Sequence, residues 1–182
     1  MRNIILVLLT VILASCGGPE PRRPVKIKSG SFYKESAERN RQLLEREEKL
    51  IQEIIAQDTS RTYVNSASGS WYFLWTKNEG DDYRPHVDDL VTMTYDVLTF
   101  DNDTIYSFED IGILKYKVDK QELFPGLRDA VKLLKENETA TFLFPSSLAF
   151  GYHGDNDKIG VNVPLKSTVT ILKIERQQDD VR

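Results

Sequence analysis

The chain has 182 residues, of which 40% are hydrophobic and 29% are charged, and its formal net charge is -4. This balance is typical of a soluble globular protein and excludes a largely disordered chain. The negative charge also argues against a nucleic-acid-binding surface, because contacts to phosphates need clustered lysine and arginine residues. The length fits one domain with accessory segments, or two small domains.

The N-terminus has the pattern of a bacterial export signal. Arg2 precedes an apolar run at residues 4–13, and small residues follow before the only cysteine, Cys16. The sequence Leu13-Ala14-Ser15-Cys16 resembles the lipobox of bacterial lipoproteins. That resemblance implies a signal peptide at residues 1–15 and a lipid on Cys16, which would attach the protein to a membrane. A plain secreted protein with an incidental cysteine is the alternative.

Residues 16–33 are predicted to form an extended tether after the lipidated cysteine. The segment contains three prolines, two glycines in succession and four basic residues, a composition that disfavours regular structure. Glu20 is its only acidic residue, which favours the periplasmic side of the outer membrane as the location.

An amphipathic helix is predicted next, at residues 34–60. Between Leu43 and Ile55 apolar residues recur every three or four positions, interrupted by Glu47, and charged residues fill the other faces. So narrow a stripe must pack on a partner surface. That surface is either the domain that follows or a second copy of the chain, so a homodimer through residues 34–57 is an open alternative.

Strands dominate the chain from Ser66 onward. The alternation of apolar and polar residues, together with turn residues, predicts a single antiparallel sheet wrapping one short helix, an α+β fold. The predicted strands lie at residues 69–76, 90–100, 111–118, 139–144 and 168–175, and the helix lies at residues 125–134.

The helix at residues 125–134 has an apolar face that is easily identified. Leu127, Ala130, Val131 and Leu134 have the spacing of one helical face, and Pro125 suits a helix start. An apolar pair, Leu123-Phe124, precedes the helix. The pair either closes the core or forms part of a pocket.

Metal sites and covalent catalysis are not supported by the sequence. Asp101-Asn102-Asp103 and Asp155-Asn156-Asp157 begin like calcium-binding loops, but both lack the bidentate glutamate at the twelfth position, so we interpret them as turns. His86 and His153 have no cysteine near them, which argues against zinc. No serine nucleophile motif or glycine-rich phosphate loop is present. We therefore predict no metal and no other cofactor.

Four segments within residues 66–176 occur in the order and spacing of the FKBP-type peptidyl-prolyl isomerases, a family that the chain therefore resembles. They are VTMTY at residues 91–95, ELFPGLRDAVKLL at 122–134, FPSSLAFG at 144–151 and VPLKST at 163–168. With the lipobox and the charged helix, the chain most resembles the gliding-motility-associated FKBP-like lipoproteins of Bacteroidetes. The remaining residues, 177–182, form a polar tail.

The resemblance implies a half-wrapped sheet whose helix closes an apolar pocket for a substrate proline. Tyr95, Phe124 and Phe150 take the catalytic positions. In the same way, the backbone groups of Glu122 and Phe124 are expected to bind the peptide chain. The expected substrate-binding residues are Ile105, Tyr106, Leu114, Glu122, Leu123, Leu127, Val163 and Ile171.

Several residues depart from the family pattern. Ile105, Leu127 and Ile171 stand where aromatic residues are usual, Tyr106 replaces an acid, and Phe150 lacks the hydroxyl of a tyrosine. Each lost hydrogen bond is worth about 0.5–1.5 kcal/mol, so activity is expected to fall without vanishing.

Two functions are expected from this resemblance. The first is a lipid-anchored isomerase, or rotamase, that assists the folding of exported or envelope proteins, including those of the gliding machinery. The second is a catalytically weak chaperone or protein-binding module. The expected partners are proline-containing peptides or unfolded proteins and the membrane, with no nucleic acid.

Overall fold

The computed structural model describes residues 29–177, with side chains from residue 33 onward. The predicted signal peptide, Cys16, most of the tether and nearly all of the polar tail lie outside the described residues. Among the helices of the described part, none has the length and apolarity that crossing a bilayer requires.

The first described element is helix α1, Ser29–Gln57. It begins five residues before the predicted start, and residues 25–33 contain no proline that would prevent this. From Ala37 onward it belongs to the same compact unit as the rest of the chain. Ile51 is fully buried, whereas Leu44 and Leu50 stay exposed. Part of its stripe thus packs on its own domain, and the homodimer stays a prediction.

Eight strands within the described residues form one antiparallel sheet. Along the sheet the order is β1-β2-β7-β8-β3-β6, while β4 pairs with both β5 and β8. The strands are β1 (Val64–Asn65), β2 (Trp71–Thr76), β3 (Leu90–Tyr95), β4 (Val97–Leu98), β5 (Thr104–Tyr106), β6 (Leu114–Lys117), β7 (Thr139–Phe144) and β8 (Leu165–Glu175).

The core lies between this sheet and helix α3, Pro125–Leu133; a four-residue helix, α2 (Phe108–Ile111), precedes β6. The predicted apolar face of α3 is confirmed, because all four of its residues are completely buried. They share one cluster with Met93 of β3 and Ile171 of β8, which are cross-strand partners. Alternation along the strands thus puts one apolar face under the helix.

The α+β fold expected from the sequence is confirmed, although several elements are shorter than predicted. The strand predicted over residues 90–100 is interrupted at Asp96, whose carboxylate accepts a hydrogen bond from the Thr168 N–H at 2.6 Å. This side-chain bond replaces a rung of the backbone ladder. Strands β1 and β5 and helix α2 are too short to give a periodic signal.

Gly126 lets the start of α3 approach the end of β7 closely. A Cβ atom at this position would lie 2.5 Å from the Phe144 ring and 2.9 Å from the Leu148 carbonyl oxygen. Only glycine permits that approach. The helix start, and with it Phe124, is therefore held against a single-turn 3-10 helix, Ser146–Leu148, that follows β7.

Candidate functional site

Two apolar clusters meet at Tyr95 and Phe150. The larger cluster surrounds α3 and includes Phe124, while the smaller one contains Val97, Ala149, Ile159 and Leu165. Tyr95 and Phe150 pack against both clusters. This junction lies between the start of α3 and the loop after β7. It is the place where most of the predicted site residues come together.

An aromatic group forms the centre of the site. The Phe124 ring lies 5.2 Å from the Phe150 ring and 5.5 Å from the Phe144 ring, the latter in an edge-to-face arrangement. Each such aromatic pair contributes about 0.5–1.5 kcal/mol to stability in addition to the free energy of burying its apolar surface. Phe124 is 8% exposed, so only a small part of its surface reaches solvent.

The backbone of Phe124 is shaped by the proline that follows it. Proline disfavours helical geometry in the preceding residue, and Phe124 is extended, with φ -62° and ψ 150°. Its carbonyl accepts from the N–H groups of Leu127 and Arg128. Its own N–H has no acceptor among residues 29–177, and neither does the Tyr95 hydroxyl. Both donors are therefore unpaired within the described residues.

The predicted site residues around this centre differ in how deeply they are buried. The structure places Leu127 and Ile171 in the core with no exposed surface, beneath the site rather than at its surface. Glu122 is exposed and its side chain joins neither cluster. The half-buried residues that pack on one or both clusters are Tyr95, Ile105, Tyr106, Leu114, Leu123, Phe150 and Val163.

Burial raises the pKa of the Tyr95 hydroxyl above its usual range. Desolvation disfavours the charged phenolate, so Tyr95 stays a neutral hydrogen-bond donor at physiological pH. An apolar surface with two neutral donors, the Phe124 N–H and the Tyr95 hydroxyl, suits an uncharged peptide group.

Tyr106 is tied to the loop after β7 by a hydrogen bond that the sequence did not predict. Its hydroxyl donates to the Asp155 carboxylate at 2.6 Å, and the Lys158 ammonium lies 4.7 Å from the centre of its ring. Lys158 also donates to the carbonyl of Ile105 at 3.2 Å. The loop therefore closes over β5 and forms one side of the site.

The bond between Tyr106 and Asp155 moves the pKa of both groups. The Asp155 carboxylate, as hydrogen-bond acceptor, raises the pKa of Tyr106 to about 12. Burial opposes ionisation of Asp155, but the Tyr106 hydroxyl and the N–H groups of Asp157 and Ile159 outweigh burial and hold the pKa of this carboxyl below its usual range. The acid-rich turn is thus an internal anchor. Among the described residues no group of acidic, histidine or cysteine side chains could hold a metal.

Replacing Tyr106 by phenylalanine should raise the pKa of Asp155 and destabilise the loop by about 1 kcal/mol, the net worth of one hydrogen bond. A carboxyl whose pKa is lower in the folded state stabilises the fold at every pH above its pKa in the unfolded chain, near 3.9. This contribution is lost as the pH falls through the pKa of the folded state. The Tyr106→Phe penalty should therefore shrink between pH 7 and pH 2. Carboxyl NMR titration and denaturant unfolding at both pH values measure this.

Tyr152→Phe is the matched control, because Tyr152 lies in the same loop as Asp155 and its side chain is 73% exposed. An unchanged Asp155 titration in Tyr106→Phe would contradict the role given to the bond.

The sequence profile of the FKBP-type peptidyl-prolyl cis-trans isomerases matches residues 81–172. A relative is the probable FKBP-type peptidyl-prolyl cis-trans isomerase FkpA of Neisseria meningitidis serogroup B, 33% identical over 147 residues. The alignment covers 81% of this chain and 51% of that protein, so the chain spans about half the length of this relative.

Two solved structures have a similar fold, each at 17% identity and a TM-score of 0.59. One is a peptidyl-prolyl cis-trans isomerase from Pseudomonas syringae pv. tomato, with 75% of this chain and 96% of that chain covered. The other is FkpA from Escherichia coli, with 96% of this chain and 82% of that chain covered. At this identity the similarity establishes the fold alone.

Proposed function

We propose that this chain, which belongs to the FKBP-type peptidyl-prolyl cis-trans isomerase family, isomerises peptide bonds that precede proline at the site around Phe124 and Phe150. The family predicted from the sequence is confirmed, and the isomerase activity of this chain is the proposal. The residues that carry the reaction remain a proposal.

One observation carries the assignment of the site: the unpaired N–H of Phe124 lies beside an aromatic surface. This N–H is a hydrogen-bond donor that has no acceptor among residues 29–177, and a carbonyl oxygen of an extended peptide is an acceptor that fits it. The adjacent rings of Phe124 and Phe150 offer an apolar surface to a proline. The Tyr95 hydroxyl supplies a second donor beside them.

The proposed chemistry needs no nucleophile. Amide resonance opposes rotation with a barrier of about 18–20 kcal/mol, and the planar form is more polar than the twisted one. Water favours the planar form, so transfer of the bond to an apolar surface lowers the barrier. A site that binds the twisted geometry better than either planar end then accelerates the exchange.

A refolding assay tests this proposal. Protein that begins after Cys16 should accelerate the refolding of a substrate whose slow phase is proline isomerisation, which takes roughly tens to hundreds of seconds unaided. The amplitude of the slow phase should stay constant while its rate rises with enzyme concentration. Folded protein that gives no acceleration, even in excess over the substrate, would refute the assignment.

A second function, a catalytically weak chaperone, has its own support. Leu127 is completely covered, so it offers no floor to a bound ring in this conformation. The Tyr106 hydroxyl is already committed to Asp155. This function predicts suppressed aggregation of an unfolded client without isomerisation. Turnover at the rate of an ordinary isomerase would argue against the weak-chaperone function.

We further propose that the protein is a lipoprotein of the outer membrane, facing the periplasm, that acts on exported or envelope proteins, including those of the gliding machinery. The support is the sequence Leu13-Ala14-Ser15-Cys16 and the proline-rich tether. Membrane fractionation of the full chain and of Cys16→Ser tests the anchor, since the variant should leave the membrane fraction. Equal retention of both would oppose lipidation.

A further inference from the structure

We propose that helix α1 positions the prolyl site through Glu47, which holds the turn that carries Phe150. This inference rests on the proposed function, because it assigns α1 a part in the same site. Glu47 is a positioning residue here, since it acts through the loop and does not touch the substrate.

Glu47 makes a buried contact across 99 positions of sequence. It is 3% exposed, and its Oε2 accepts a hydrogen bond from the Ser146 N–H at 2.9 Å. This is the residue that interrupts the apolar stripe of α1. The interruption therefore corresponds to a specific polar contact with the domain.

The Ser146 carbonyl accepts hydrogen bonds from the residues on either side of Phe150. It accepts from the N–H of Ala149 at 3.1 Å and from the N–H of Gly151 at 2.9 Å. These two residues flank Phe150. The Ser146 backbone thus fixes the segment on one side and is itself fixed by Glu47 on the other.

The energetics favour positioning over stability as the role of Glu47. Ser146 begins a 3-10 turn, so its N–H has no partner within that turn, and an unpaired buried donor is costly. Yet Oε1 of Glu47 is buried and has no hydrogen-bond partner among the described residues. A carboxylate satisfied on one oxygen only is a poor source of stability. It does supply a directed acceptor.

A cavity beside the contact makes this bond important for Phe150. The cavity has a volume of about 450 Å³ and lies between α1 and the loop, with Leu43, Pro125, Phe150 and Tyr152 among its lining residues. Because the cavity leaves space beside Phe150, side-chain packing alone does not fix the position of Phe150 on the side that faces α1. The hydrogen bond between Glu47 and the Ser146 backbone must fix it there.

The test compares Glu47→Ala, Glu47→Gln and a control, Glu48→Ala, whose side chain is exposed on the same helix. Glu47→Ala should lower kcat/KM for a proline peptide by roughly two- to tenfold, the factor that corresponds to one net hydrogen bond. Glu47→Gln should restore it, since the amide oxygen accepts the same N–H. Glu48→Ala should match the wild type.

Amide hydrogen exchange tests the anchor without any variant. In the wild type, the Ser146 amide should exchange more slowly than that of Ser147, which is exposed and has no acceptor among the described residues. Glu47→Ala should remove this protection, and Glu47→Gln should keep it. These measurements do not require activity, and those on the wild type and Glu47→Gln remain available if Glu47→Ala fails to fold.

The outcomes separate the two proposals. An inactive wild type with a protected Ser146 amide refutes the proposed function and leaves the anchor intact. An active wild type with wild-type kinetics in Glu47→Ala overturns the positioning role. A Glu47→Gln variant as impaired as Glu47→Ala also overturns it, as does rapid exchange at Ser146 in the wild type.

Discussion

Replacing Phe124 by alanine is expected to lower both the free energy of unfolding and the isomerase activity. The ring is almost fully buried and contacts the rings of Phe144 and Phe150. Removing a buried phenylalanine ring costs about 3–5 kcal/mol. The same ring is the apolar surface proposed for the substrate proline, so kcat/KM should fall about tenfold or more beyond any loss of folded protein.

Phe142→Ala is the matched control for this prediction. Phe142 is also buried, and its ring contacts two aromatic partners, Tyr72 at 5.1 Å and Phe144 at 5.6 Å, but it is not a predicted site residue. Both variants should lose similar stability in denaturant unfolding, whereas only Phe124→Ala should lose kcat/KM. Leucine replacements at both positions provide the comparison if alanine prevents folding. Equal activity losses would place the site elsewhere.

Local periodicity predicted the fold well. The four apolar residues of α3 repeat at helical spacing, and all of them are buried as expected. The strand at residues 139–144 has the predicted bounds. Alternation and helical spacing are properties of neighbouring residues, so one sequence contains them. The division of the third strand at Asp96 was not predictable, because it depends on Thr168, 72 positions away.

The site was predictable only as far as its motifs extend. The order of the four segments brought Tyr95, Phe124 and Phe150 to one place, and the structure packs all three together. Asp155 and Glu47 were missed as parts of the site, since each acts through a contact that no local pattern encodes. A signal for Glu47 did exist, namely a charged residue within an apolar stripe.

These two missed contacts lie on opposite sides of Phe150 and serve different purposes. Asp155 binds Tyr106 and holds the middle of the loop over β5, whereas Glu47 binds the start of the loop at Ser146. Both are carboxylates that accept from groups inside the protein. Polar contacts therefore fix the loop on both sides of Phe150 in the sequence, at Ser146 and at Asp155. Backbone geometry within the loop should then matter as much as its side chains.

Gly154→Ala is expected to disrupt this loop and to lower the free energy of unfolding by about 3 kcal/mol. Gly154 has φ +70°, and alanine in the left-handed region costs about 1–2 kcal/mol. A Cβ atom would also lie 2.3 Å from the Ile159 carbonyl oxygen, which is backbone and accepts from the Asp155 N–H. The loop must open to relieve this overlap, and a hydrogen bond worth about 1 kcal/mol is lost.

Gly151→Ala separates the two costs of that substitution. Gly151 has φ +56°, but the nearest atom to its Cβ position is the Ser146 carbonyl oxygen at 4.0 Å, an ordinary contact. This variant should therefore lose about 1–2 kcal/mol, the conformational cost alone. Gly154→Ala should also shift the Asp155 carboxyl titration, because opening the loop moves the carboxylate away from Tyr106. Equal stability losses with an unchanged titration would mean that the hydrogen bond from the Asp155 N–H to the Ile159 carbonyl does not hold Asp155 in place.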